Sequence, residues 1–224
     1  MKEERAVRDS VHDDTPYMWY ASYASNLSKK RFLCYIRGGV PERSKSWQQG
    51  CKDKTVPRLT KQISIPHQLY FAKSSSGWDN GGVGFIGLSR TEECGALGRM
   101  YLITGEQFID VVSQENDNIP IALDFGTVME KGAALFCESW FGNIIFLGEK
   151  EGFPIFTFTA PHDIGFEPFT APSEGYLQTI ALGLRDAYGL GSDEICEYLM
   201  KEAGVKGNYE KETLTGIVEA VSIW

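Results

Sequence analysis

The sequence predicts an α+β protein: a mixed, mostly antiparallel, barrel-like sheet with flanking helices and a helical carboxyl-terminal segment. Three observations support this fold class. Short runs rich in β-favouring residues, separated by turn residues, occupy much of the chain up to Thr159. One helical pattern interrupts them near the amino end and a second interrupts them mid-chain. Beyond residue 172 the apolar residues recur at helical spacing.

Composition limits the classes of partner. The chain has 224 residues, of which 42% are hydrophobic and 23% charged, values typical of a globular protein with one sizeable core. Its net charge of -8 argues against a nucleic-acid groove and against attraction to anionic lipid. No apolar run approaches the ~20 residues that span a bilayer. We therefore expect no nucleic-acid partner and no membrane partner.

The chain divides into three predicted segments. Residues 1–16 carry mixed charges without periodicity and are predicted to be a flexible extension. Residues 17–172 are predicted to form the barrel-like domain, and residues 173–224 a helical tail that packs on it. The five cysteines are scattered, odd in number and without a Cys-x-x-Cys pair, which favours free thiols in a reducing compartment, the cytoplasm.

The most informative stretch lies at residues 19–27, where an aromatic strand turns through Ser25 and Asn26 into a helix that ends at Gly38-Gly39. The first turn of a helix has unpaired N–H groups, which a carboxylate or an oxyanion can accept. The stretch is thus a candidate anion cradle. The alternative is an ordinary helix N-cap.

The mid-chain helix carries a candidate base. Thr104 and Gln107 form a capping box, and Glu115 occupies the i+7 position of the apolar stripe formed by Phe108, Val111 and Val112. A carboxylate withdrawn from water is a stronger base, as proton transfer near neutral pH requires. The alternative is that the helix frays before Glu115, which then turns into solvent.

Other segments were assigned by pattern alone. Strands are predicted at Gln68–Ala72, Gly82–Leu88 and Met100–Ile103. The stretch from residue 121 to 159 is also predicted to be β and includes strands at Asn143–Leu147 and Ile155–Thr159. Tail helices are predicted to begin at Ser173 and Ser192, and a third to include Leu214 and Val221. The tail has four basic and nine acidic residues, which argues against DNA binding by these helices.

Motifs for other chemistries are incomplete. Residues 82–87 match Gly-x-Gly-x-x-Gly, but no helix pattern opens within them, so the glycines are interpreted as permitting close backbone approach in a strand. His12, His67 and His162 are too far apart for a metal motif. Ser25 lacks the Gly-x-Ser-x-Gly context of a hydrolase nucleophile. We expect no metal site.

Three segments in order, residues 23–27, 78–84 and 111–116, resemble the gamma-glutamylcyclotransferase-like family, over roughly residues 18–119. The resemblance implies a small mixed barrel with flanking helices and no cofactor. It implies that the α-amine of a γ-glutamyl group attacks its own γ-carbonyl, releasing an amine and 5-oxoproline. Glu115 would be the general acid/base. The implied substrate-binding residues are Tyr23, Ala24, Ser25, Asn26, Leu27, Gly81 and Gly82.

The chain departs from the family pattern. Ala24 replaces a glycine, so a positive φ there would cost ~1–2 kcal/mol. Val112 stands where an aspartate is common, and Asn116 stands in for a glycine. No tyrosine lies between residues 102 and 175, which predicts that the phenol beside the glutamate is absent. The alternative function is a non-catalytic small-molecule-binding protein that retains the pocket. A third hypothesis makes the acidic tail a surface for homo-oligomers or partners.

Overall fold

The computed structural model describes residues 16–92 and 95–221. The predicted amino-terminal extension falls almost wholly outside these residues, as does Cys94. Eight strands are described: β1 (Tyr17–Ser22), β2 (Thr60–Ile65), β3 (His67–Ser75), β4 (Gly81–Arg90), β5 (Ala96–Thr104), β6 (Ala133–Leu135), β7 (Asn143–Lys150) and β8 (Phe153–Thr159).

Six of these strands form one sheet in the order β2-β5-β1-β8-β7-β6, and β3 pairs with β4 in a separate antiparallel hairpin. In the large sheet only the β1–β8 pair is parallel. The predicted fold class, a mixed and mostly antiparallel sheet with flanking helices, is confirmed. The sheet is open at β2 and β6, so it does not close into a barrel.

The helices lie on both faces of this sheet. They are α1 (Lys29–Arg37), α2 (Gly105–Glu115), α3 (Phe125–Lys131), α4 (Glu174–Tyr188), α5 (Ser192–Leu199) and α6 (Lys211–Glu219), with 3₁₀ turns at Ala24–Leu27 and Ser76–Trp78. None of the helices in the described part of the chain has the length and apolar character needed to cross a membrane.

Alternation along β1 sends side chains into two cores. Trp19 and Ala21 belong to a cluster shared with the β3–β4 hairpin and with α4, α5 and α6. Met18 and Tyr20 belong to a second cluster, shared with α1, α2 and α3. The period of two in a strand buried on both faces explains this division. The division of the chain at residue 172 stays a prediction.

The first helix begins later than the pattern predicts. Ser25 and Asn26 lie in the 3₁₀ turn, and Ser28 caps α1 by accepting a hydrogen bond from the Arg31 N–H. The side chains of Ser25 and Asn26 do not cap the helix because they have other partners. Ser25 accepts a hydrogen bond from the Arg31 side chain, and Asn26 donates one to Glu115. The junction is therefore a tight corner between β1 and α1.

Two elements depart from the prediction. β2 is not among the predicted strands, and its residues pair with β5. α3 lies in the segment predicted to be β. Asp124 starts it by accepting hydrogen bonds from the N–H groups of Gly126 and Thr127, and Gly132 ends it with a φ of 80°. Local capping, which a search for β patterns overlooks, decides this helix.

Candidate functional site

A cavity of about 500 Å³ lies where the β1–α1 corner, the end of α2 and strand β4 meet. Its volume suits a small molecule. Of the residues predicted for the site, it brings together Tyr23, Ala24, Ser25, Asn26 and Glu115, all of which line this cavity. Two segments that are remote in sequence, the early corner and the end of the mid-chain helix, thus line the same cavity.

Glu115 is held in place within the cavity. It is the last residue of α2 and is half-buried. The Asn26 side-chain amide donates a hydrogen bond from Nδ2 to Glu115 Oε1 at 2.9 Å, and lies 3.3 Å from the Tyr20 hydroxyl. The alternative in which α2 frays and Glu115 turns into solvent therefore does not describe this structure.

Asn26 is itself fixed by its backbone. Its carbonyl accepts a hydrogen bond from the Tyr101 hydroxyl at 3.0 Å, and the Ser22 hydroxyl lies at the same distance. The other atom of its side-chain amide, Oδ1, is buried and has no hydrogen-bond partner among the described residues. The wall of the cavity thus contains a buried acceptor that is left unsatisfied among the described residues.

Asn116 secures the end of α2 by its side chain. Its Nδ2 donates to the carbonyl of Val112 at 2.8 Å, and its Oδ1 accepts from the N–H of Phe141 at 3.1 Å. Its φ is -120°, whereas the following Asp117 and Asn118 adopt φ values of 55° and 61°. The left-handed conformation therefore falls one residue later than the motif suggests, and Asn116 fastens α2 to the segment before β7.

Ala24 takes the strained conformation that the sequence raises as a question. Its φ is +50°, which costs a non-glycine residue about 1 kcal/mol. The facing residue is Gly84, where an added Cβ would lie 2.5 Å from the Ala24 Cβ. Two side chains would not fit there. The Ala24 methyl group therefore fits only because Gly84 has no side chain.

Phenols surround the carboxylate, which corrects the expectation that none is present. Tyr20, Tyr23, Tyr35 and Tyr176 line the cavity, and they come from β1, its end, α1 and α4. Burial raises the pKa of each hydroxyl, and the Glu115 charge raises them further, so all four remain protonated donors. The Tyr35 phenol lies beside Glu115. Searching only the sequence around Glu115 misses these groups because other elements supply them.

Arg31 is a site residue that the sequence reasoning missed. It is only 6% exposed, unlike its neighbours Lys29 and Lys30. Its Nε donates to the Ser25 hydroxyl at 3.1 Å, its Nη2 donates to the Tyr35 hydroxyl at 2.9 Å, and its guanidinium lies 4.9 Å from the centre of the Trp78 ring. The sequence signal that could have indicated this role is the position of Arg31 one helical turn before Tyr35, on the same face of α1.

Three predicted site residues lie outside the cavity lining. An added Cβ at Gly81 would lie 2.4 Å from the Ser173 nitrogen, and one at Gly82 would lie 2.2 Å from the Thr170 carbonyl oxygen. These glycines therefore allow the start of the tail to approach β4. Leu27 is buried in the core, against Gly183 of α4. Gly84 takes the place on the cavity wall that was predicted for Gly81 and Gly82.

The lining also bears on the rival chemistries. Its two carboxylates are Glu115 and the exposed Asp117, and it contains neither histidine nor cysteine. The Ser25 hydroxyl accepts a hydrogen bond from Arg31 and has no histidine beside it to act as a base. The Gly-x-Gly-x-x-Gly residues lie inside β4, which no helix follows. Across residues 16–92 and 95–221, no three His, Cys, Asp or Glu side chains cluster to hold a metal ion.

Comparison with known proteins gives one relative in sequence. No protein-family model matches this chain. Histone deacetylase 5 of Arabidopsis thaliana is 36% identical over 205 residues, which cover 82% of this chain. The chain spans about 30% of the length of that curated relative, so the likeness concerns one part of a longer protein.

Solved structures that are similar to the chain over most of its length include a gamma-glutamyl cyclotransferase and an uncharacterized human protein. A gamma-glutamyl cyclotransferase, at 13% identity and a TM-score of 0.48, covers 92% of this chain and 99% of its own. An uncharacterized protein from Homo sapiens, at 14% identity and a TM-score of 0.48, covers 91% and 98%. A gamma-glutamyl cyclotransferase, the kind of protein that the sequence motifs resemble, is thus among the solved structures to which this chain is similar.

Proposed function

We propose that this chain is a gamma-glutamylcyclotransferase-like enzyme that cleaves a γ-glutamyl amine by intramolecular attack, with Glu115 as the general acid/base. The observation that supports it best is the placement of the half-buried Glu115 carboxylate in a small-molecule cavity, held at 2.9 Å by Asn26 of the early corner. Four thiols, those of Cys34, Cys51, Cys137 and Cys196, are free, in keeping with the further proposal that the enzyme acts in the cytoplasm.

The proposed reaction needs one proton carrier. Glu115 takes a proton from the substrate's α-ammonium group, and the freed lone pair forms a C–N bond to the γ-carbonyl carbon of the same molecule. The tetrahedral intermediate then collapses. Its bond to the leaving nitrogen breaks as Glu115 returns the first proton to that nitrogen. Glu115 then takes the second proton from the ring nitrogen and passes it to the departing amine, so that 5-oxoproline and a protonated amine are released without consuming water.

Most of the catalytic effect comes from positioning under this proposal. The nucleophile and the electrophile belong to one molecule, so the cavity favours the curled conformer in which they meet. The protonated phenol of Tyr20, whose oxygen accepts a hydrogen bond from Asn26, can donate its own proton where negative charge develops on the carbonyl oxygen. Asn26 acts as a positioning residue, because it contacts Glu115 directly.

The activity in the name of the Arabidopsis relative is not part of this proposal. The aligned region is 30% of that protein, and the rest of it has no counterpart in the alignment. The cavity of this chain also carries no cluster of metal ligands in the described residues. The site therefore supports acid/base chemistry at Glu115 better than it supports a transfer from the name of a longer relative.

Product analysis tests the proposed reaction. A panel of γ-glutamyl amines is incubated with the purified protein in ¹⁸O-labelled water, and the products are identified by mass spectrometry. We expect 5-oxoproline without ¹⁸O and one equivalent of amine. Glutamate containing ¹⁸O would show hydrolysis instead, and ligand-dependent thermal stabilisation without any product would favour the non-catalytic binding protein.

A further inference from the structure

We propose that Arg31 forms an anion subsite in the cavity and that this subsite binds a carboxylate group of the ligand. The identity of that group as the α-carboxylate of a γ-glutamyl substrate rests on the proposed function. The presence of the subsite does not, because it follows from the guanidinium and its surroundings.

The guanidinium is buried with its charge unmatched. It carries five N–H donors, and its described contacts are neutral: the hydroxyls of Ser25 and Tyr35 and the rings of Tyr35 and Trp78. Its Nη1 atom is buried without a hydrogen-bond partner among the described residues. A buried cation is costly unless an anion or several acceptors satisfy it. A ligand anion that binds at Nη1 supplies both the negative charge and the hydrogen-bond acceptor.

The charged group belongs to the Glu115 cavity. Arg31 also lines a second cavity, of about 580 Å³, together with Lys29, Lys30 and Arg43. The groups that contact the guanidinium, from Ser25, Tyr35 and Trp78, all line the first cavity and are absent from the second. The stem of Arg31 therefore borders the second cavity, and its charged end borders the first.

The subsite is rigid before any ligand binds. The Trp78 ring and the Ser25 hydroxyl fix the plane of the guanidinium, and Ser25 in turn interacts with the Tyr176 hydroxyl, which accepts a hydrogen bond from the Gly84 N–H at 2.9 Å. Planar, fixed guanidinium groups bind carboxylates and phosphates well. Glu115 and Asp117 also line this cavity and repel a second negative charge, so a carboxylate is favoured over a phosphate.

The position of the subsite matches the chemistry proposed for Glu115. Tyr35 lies between the Arg31 guanidinium and the Glu115 carboxylate. Its hydroxyl accepts a hydrogen bond from Arg31 and lies beside Glu115. In an α-amino acid the carboxylate and the amine are attached to one carbon atom. A carboxylate at Arg31 therefore directs the neighbouring amine toward Glu115.

Binding of two matched probes tests the subsite without turnover. Titration calorimetry compares 5-oxoproline, which carries a carboxylate, with 5-oxoprolinamide, in which that group is neutral. We expect the wild-type protein to bind 5-oxoproline at least ~10-fold more tightly than the amide, because the amide lacks one charge-assisted contact. Arg31→Met removes this preference, Arg31→Lys retains part of it, and Arg43→Met, which alters only the second cavity, leaves it unchanged.

Equal binding of the two probes by the wild type, or an undiminished preference in folded Arg31→Met, overturns the subsite. Should Arg31→Met not fold, ¹⁵N-arginine spectra of the wild type replace it, with the Arg31 signal assigned through Arg31→Lys. Its side-chain resonance is expected to shift with 5-oxoproline and not with the amide, and an unmoved resonance also overturns the subsite. A preference that depends on Arg31 in a protein without turnover keeps the subsite and rejects the proposed reaction.

Discussion

Asn26 and Glu115 are 89 residues apart in the chain, yet the side-chain amide of one donates a 2.9 Å hydrogen bond to the carboxylate of the other. The bond joins the corner after β1 to the last residue of α2. It leaves the second oxygen of Glu115 to other partners and holds the first in a fixed direction. The two motifs that the sequence shows separately are thus parts of one site.

The first prediction concerns this bond. Asn26→Ala leaves Glu115 without its anchor, and we expect turnover of γ-glutamyl amines to fall by roughly 100-fold, since misplacing a catalytic group by about 1 Å has such an effect. The rate is measured by 5-oxoproline release, with circular dichroism as a check of folding. Asn208→Ala, at an exposed asparagine outside the cavity, is the matched control. A folded Asn26→Ala protein with the wild-type rate would contradict the positioning role.

The second prediction concerns the contact between Ala24 and Gly84. Gly84→Ala places a Cβ 2.5 Å from the Ala24 Cβ, and we expect a loss of about 1–3 kcal/mol in the free energy of unfolding, as for overpacking. Ala24→Gly removes the opposing methyl, so the double variant should recover most of that loss. Urea denaturation of the four proteins of this cycle gives the coupling. Additive effects of the two substitutions would mean that the methyls do not meet.

The third prediction concerns pH and a carboxyl group outside the cavity. Glu202 is buried, which raises the pKa of its carboxyl group from 4.5 to about 7. The native state therefore holds this proton while the unfolded chain has released it, and stability falls as the pH rises from about 4.5 to about 7. Glu202→Gln abolishes this loss, so we expect a gain of about 3 kcal/mol above pH 7 and none below pH 4.

Denaturation at several pH values measures this effect. Glu197→Gln, at an exposed position earlier in the chain, serves as the control and should change stability by less than about 0.5 kcal/mol at every pH. If both variants show the same pH dependence as the wild type, Glu202 does not hold a proton that the unfolded chain releases.

Local patterns were sufficient for part of this account. The capping box at Thr104 and Gln107 marks the start of α2, and the observed helix runs from Gly105 to Glu115 as its pattern predicts. The strand predicted at Ile155–Thr159 likewise lies within the observed β8. These features depend on neighbours within a few residues, so one sequence contains them.

Long-range features could not be read in this way. Arg31 stands beside two exposed lysines, and nothing in that run shows that its guanidinium is covered by Trp78, 47 positions later. The phenol beside Glu115 belongs to Tyr35 in α1, and strands β2 to β5 separate α1 from α2 in the sequence. Gly81 and Gly82 resemble ligand-contacting glycines but serve the approach of the tail. Each depends on which elements meet in three dimensions.

The most direct test of the account is the rate of 5-oxoproline release by Glu115→Gln, which keeps the shape of the side chain and removes its basicity. Glu106→Gln makes the same change at an exposed position in the first turn of the same helix, and Asp117→Asn tests the other carboxylate of the lining. We expect Glu115→Gln to lose at least ~100-fold in rate, the usual contribution of a general base, while Glu106→Gln retains the wild-type rate. A Glu115→Gln protein that releases 5-oxoproline as fast as the wild type, or a loss confined to Asp117→Asn, would contradict the assignment of the base to Glu115.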